Sequence, residues 1–70
     1  MKNAEELDKL LDLHKTHIFH SAYKLAGSKE GAEDLVHDLI VELYARQVNV
    51  DEIDYPKAWL SKVIYRQFNQ

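Results

Sequence analysis

Cysteine is absent from these 70 residues. That removes disulfides and thiolate metal sites, and it fits a cytosolic protein. The N-terminal stretch "MKNAEELDKLLDLHKTH" has no uninterrupted apolar run, so it does not read as a signal peptide. No segment approaches the roughly 18 apolar residues a membrane-spanning helix needs. There is no Gly-rich phosphate loop, no nucleophile motif, no internal repeat and no low-complexity segment. Ser21, Ser28 and Ser61 have no base at a telling spacing. A chain this short also offers no pocket of enzymatic size. The sequence therefore points away from an enzyme and away from a small-molecule substrate.

What is present is an apolar and charged mixture, 46% hydrophobic and 30% charged, which reads as globular rather than disordered. Seventy residues make one domain at most. A core of that size leaves a few kcal/mol of net stability. The net charge of −3 is unevenly spread. Residues 1–29 carry five lysines and four acids; residues 30–54 carry eight acids and one arginine. Residues 55–70 carry Lys57, Lys62 and Arg66 with no acid. An acidic middle and a basic end can present two faces to two partners.

Periodicity divides the chain into three helices. Leu7, Leu10, Leu11, His14, Ile18, Ala22 and Leu25 recur at three and four, which predicts one amphipathic helix from about Glu5 to Ala26. Gly27 is placed to end it in the left-handed conformation. Ser28 is placed to cap a second helix, with Glu30 and Glu33 at its positive end. The apolar side of this helix is Ala32, Leu35, Val36, Leu39, Ile40 and Leu43, with Tyr44 at the margin. "VNVDEIDY" then breaks the helical period and reads as an ordered connector with Val50 or Ile53 turned inward. Pro56 can open a third helix whose apolar side is Trp59, Leu60, Val63, Ile64 and Phe68. That helix reaches "RQFNQ" with no stop signal, so it reads as cut off mid-course. The expected architecture is all-α, a small three-helix bundle whose first pair is antiparallel across the short Gly27–Ser28 join.

Glu30, Asp34, Asp38 and Glu42 stand four apart on the second helix. Like charges at that spacing repel by roughly 0.2–0.5 kcal/mol per pair on an exposed helix. The row is either a solvated face or a docking surface for something basic. His14, His17 and His20 are spaced at three, but three such steps drift around a helix and lack a carboxylate, so no metal and no cofactor is expected. His14 falls on the apolar stripe and reads as a core-edge residue. Trp59 falls there too and reads as a core anchor rather than a stacking platform. Tyr55 and Tyr65 are the better exposed aromatics. Lys62 and Arg66 are one turn apart and can face one phosphate track, with Lys57 at the helix start. A solubilising face is the alternative for these cations.

"AEDLVHDLIVELY" followed by "YPKAWLSKVIY" resembles region 2 of bacterial RNA polymerase sigma factors of the sigma-70 family, in the extracytoplasmic-function group. Leu25, Gly27, Ala32, Glu33, Asp34, Leu35 and Val36 match the first part of the family pattern. Pro56, Trp59, Leu60 and Ile64, with Lys62 at a usually basic position, match the second. The likeness runs from about Leu7 to Phe68. It implies a sigma region 2-like bundle and a transcription initiation factor. It implies that the second helix docks on the coiled-coil clamp helices of the polymerase largest subunit, with Asp34, His37 and Asp38 as contacts. Glu30 and Glu42 join them from the spacing of the row alone. It also implies that Asn49 to Tyr55 receive a flipped-out base of the non-template strand at the −10 promoter element. The third helix then follows that strand through Lys57, Lys62, Tyr65 and Arg66. Asp51, with Glu52 and Asp54, is an uncomfortable neighbour for phosphates but can accept hydrogen bonds from base amino groups. An anti-sigma protein that covers the same surfaces is a further partner by resemblance.

Departures from the family pattern are local. His37-Asp38 replaces the usual Gln-Glu pair, and Gln70 stands where an Asp is common. Arg66 stands where the family often has Asn, so it either alters base preference or adds a phosphate contact. The region 4 helix-turn-helix that reads the upstream promoter element is not found in these residues. The expectation is a cytoplasmic promoter-recognition domain with no membrane association. The alternative is a small helical protein-interaction module with an acidic docking face and no role with DNA.

Overall fold

Helix boundaries in the computed structural model, which describes residues 2–70, fall where local chemistry puts them. The elements are α1 (Lys2–Leu13), α2 (Lys15–Ala26), α3 (Lys29–Ala45), a single 3-10 turn (Val50–Glu52) and α4 (Pro56–Phe68). No strand occurs among the described residues. Gly27 closes α2 at φ 78° and ψ 3°, and its N–H donates to the Tyr23 carbonyl at 2.9 Å. The Ser28 hydroxyl accepts from the Gly31 N–H at 3.1 Å and caps α3. Gly31 weakens helix propensity, but a Cβ there would come within 3.0 Å of Ala26 Cβ and Ser28 Oγ. Pro56 occupies the first turn of α4, where its missing N–H costs nothing.

The predicted first helix is two helices. His14 leaves helical geometry at φ −108° and ψ 17°. Its N–H still donates to Leu10 and its carbonyl still accepts from Ile18, so the backbone bends without losing these bonds. A straight helix from Lys2 to Ala26 would be about 37 Å long, more than the 34 Å longest extent of the fold. The bend brings α1 against the 3-10 turn, where Leu7, Leu10 and Leu11 are buried. His14, Thr16 and His17 are weaker helix formers than the residues on either side of the bend. Leu13, at the break, is left exposed. The Tyr44 hydroxyl donates to an Asp8 carboxylate oxygen, which ties α1 to the end of α3.

The core joins Ile18 and Ala22 of α2 with Ala32, Leu35, Leu39 and Leu43 of α3 and Leu60, Val63 and Ile64 of α4. The three α1 leucines complete it. Both Val50 and Ile53 of the connector pack against this cluster, so the connector is ordered by burial. Phe68, expected on the apolar side of α4, is exposed one residue before the helix C-cap, Asn69. The end of α3 has no glycine. Gln47 takes the left-handed conformation instead, at φ 52°, and Val48 N–H reaches back to the Leu43 carbonyl at 3.5 Å.

Candidate functional site

α3 turns its apolar side to the core and the acidic row outward. Glu30, Asp34, His37 and Asp38 are all exposed. A four-residue step advances about 40° around a helix, so the row drifts as it climbs about 18 Å. Glu42 consequently ends at the core margin, half-buried, and pairs with Arg46 at 3.5 Å. The only other ion pair among the described residues joins Asp12 and Lys15. Glu30, Asp34 and Asp38 therefore have no cation among the described residues within ion-pair distance. Val41 is 55% exposed and sits one turn above His37 and Asp38. The face thus combines unneutralised carboxylates with one apolar contact point.

On another side of the bundle the connector and α4 form a run of shallow clefts. One, of about 270 Å³, is lined by Glu52, Ile53, Asp54, Tyr55, Ala58, Trp59 and Lys62. A second, of about 430 Å³, lies across the Ile53–Trp59 contact and is walled by Arg46, Gln47, Val48 and Asn49. Trp59 is half-buried: it packs on the core with one part and walls both clefts with the rest. Tyr55 is 78% exposed at the mouth. Further along α4, Lys62, Tyr65, Arg66 and Asn69 line an open groove. Lys62 lines both the cleft and the groove.

The connector holds its shape through its own polar groups. The Asn49 side-chain carbonyl accepts from the Asp51 N–H at 3.2 Å, and its amide donates to Glu52 at 3.3 Å. Asn49 is thereby engaged in capping the turn. Asp51 and Glu52 remain exposed. Lys57 does not join Lys62 and Arg66. It is five residues from Lys62, which is about 140° around the helix, and its carbonyl faces α2. There His17 Nε2 lies 3.2 Å from the Lys57 carbonyl and 3.0 Å from Ser61 Oγ. A ring N–H donating to both would satisfy that geometry. His17 thus joins α2 to α4, and no group of metal-binding side chains forms among the described residues.

The family model for sigma-70 region 2 matches residues 10–69. The chain belongs to the sigma-70 region 2 family. The match runs from within α1 through α4 and takes in both the acidic face and the cleft. No curated protein and no solved structure matches the chain. Sigma region 2 is a transcription initiation factor domain and not an enzyme, and the family generally implies binding to the RNA polymerase core and recognition of the promoter −10 element. No described helix of this region 2 domain is long and apolar enough to cross a membrane.

Two features of the region 2 domain escape sequence reasoning. Val41 is signalled only as an apolar residue off the core stripe. Trp59 lies on that stripe, and its second role as a cleft wall depends on how the connector folds.

Proposed function

We propose that this region 2 domain, of the extracytoplasmic-function type, is a two-sided adaptor that works in the cytoplasm. All of residues 1–70 serve the one domain. The outer face of α3 docks on the clamp coiled coil of the polymerase largest subunit. Glu30, Asp34 and Asp38 meet arginines there, His37 and Val41 fill the centre, and Glu42 guards the edge. The Tyr55–Trp59 cleft receives an unstacked base of the −10 non-template strand. Lys62 and Arg66 then hold the phosphates, and Tyr65 offers a stacking surface. Asp51, exposed on the turn, accepts from base amino groups, and Asn49 keeps the turn in shape. An anti-sigma protein that covers these faces is the third partner.

The observation that carries this reading is the row of carboxylates without cation partners on α3. Such a row weakens the free helix and finds compensation only in a complex. Calorimetric titration with a purified clamp coiled coil tests it. Salt-sensitive binding that Asp34→Lys, Asp38→Lys abolishes supports the reading. Absence of binding by the folded wild-type domain would leave an interaction module with a different partner.

A further inference from the structure

The break at His14 separates charges that the sequence runs together. All four acids of residues 1–29, Glu5, Glu6, Asp8 and Asp12, lie in α1. α2 has Lys15 and Lys24 and no acid; α4 has Lys57, Lys62 and Arg66 and no acid. These two helices pack against each other. The twelve acids of the chain therefore all lie outside α2 and α4, whereas five of its nine lysines and arginines lie within them.

The register of the pair is set by His17, near the start of α2, bonding to Lys57 and Ser61 near the start of α4. The two helices therefore meet at their first turns. Lys24 lies two turns beyond His17, on the same side of α2 and about 10 Å along its axis. His20 lies between them and is exposed, as are Lys24 and Lys57. Around α4, the path from Lys62 and Arg66 to Lys57 crosses Ala58 and Tyr65, both exposed, and the half-buried Ser61. No carboxylate belongs to either helix along that path.

We infer that a single nucleic-acid strand held by α4 continues across Ala58 and Tyr65 toward α2, where Lys57 at the start of α4 and His20 and Lys24 of α2 form a second row of phosphate contacts. This rests on the strand-binding role proposed for α4. Charge complementarity and continuity with that surface commit the face to a phosphodiester chain. Neither helix contributes an acid to the row, and its His20 also borders an apolar hollow lined by Lys15, Thr16, Phe19 and Tyr23.

The test is fluorescence anisotropy of a labelled −10-type single strand, titrated with the domain over a series of low salt concentrations. The variants are Lys24→Gln with Lys57→Gln, Lys62→Gln with Arg66→Gln, and Lys9→Gln with Lys29→Gln as a matched change in net charge. Circular dichroism checks that each is folded. Each lost phosphate contact lowers the slope of log affinity against log salt by about 0.7. The inference expects the first pair to lower the slope by roughly twice that amount, and the matched control to leave it close to wild type. Its effect should vanish on a strand too short to leave α4. A first pair that behaves like the matched control, while the second pair loses binding, overturns the α2 row and leaves the α4 reading intact. Loss by the first pair alone overturns the α4 reading instead. No binding by wild type at the lowest salt overturns both.

Discussion

Asp34 stands between two like charges on α3, with Glu30 one turn below and Asp38 one turn above. No described cation lies within ion-pair distance of it. It is also past the first turn, where the helix dipole gives little return. Asp34→Asn keeps the side-chain size and nearly the same helix propensity. It removes two repulsions of roughly 0.2–0.5 kcal/mol each, so the free domain should gain about 0.4–1 kcal/mol. For a domain of this length that raises Tm by about 2–8 °C. The gain should shrink in high salt, because the row is exposed and screened. Thermal unfolding followed by circular dichroism, at low and at high salt, measures both. The same variant should bind the polymerase clamp more weakly. A substitution that stabilises the fold and weakens the complex is the signature of a surface kept for docking. An unchanged or lower Tm at low salt would refute the reasoning, since the row would then carry no strain in the free domain.

Three other outcomes follow from the packing and the cleft. Leu39→Ala opens a hole in a fully buried site and should cost about 2–5 kcal/mol, which is most of the stability of so small a domain; denaturant unfolding checks it. Gly27→Ala should destabilise by about 1–2 kcal/mol through φ alone, since nothing lies within 4 Å of the added Cβ, while Gln47→Gly should stabilise by less than about 1 kcal/mol, left-handed strain being relieved against added freedom in the unfolded chain. Tyr55→Ala should leave unfolding stability within about 0.5 kcal/mol of wild type and lower affinity for a −10-type strand, read by anisotropy; equal affinity would remove Tyr55 from the cleft's function.

The features visible in the sequence are those fixed by near neighbours. Gly27 and Ser28 act through hydrogen bonds to residues three and four away, so their roles follow from residue type and position. The same holds for Pro56 and for the apolar faces of α3 and α4. The bend at His14 is different. Both flanking segments favour helix, and what divides them is the burial of Leu7, Leu10 and Leu11 against a turn some forty residues later. That distant contact also hides the charge pattern, because α1 acids and α2 lysines read as one nearly neutral segment. Lys57 shows the limit of spacing arguments. It is close to Lys62 in sequence but on a different side of α4, facing His17. The end of α3 carries no glycine to announce it, since Gln47 adopts the left-handed conformation under the pull of Val48 packing on the core.

In the proposed adaptor two separate faces, one on α3 and one on the connector and α4, act at the same time. Trp59 is the single tryptophan and walls the base cleft, so its fluorescence reports strand binding there. The decisive measurement is the titration of that fluorescence with a −10-type single strand, with and without a saturating clamp coiled coil, for wild type and for Asp34→Lys, Asp38→Lys. The account predicts quenching in both conditions for wild type, showing a ternary complex, and a variant that loses the coiled coil while keeping the quenching. Mutual exclusion of the two partners, or loss of strand binding on charge reversal of α3, would contradict it.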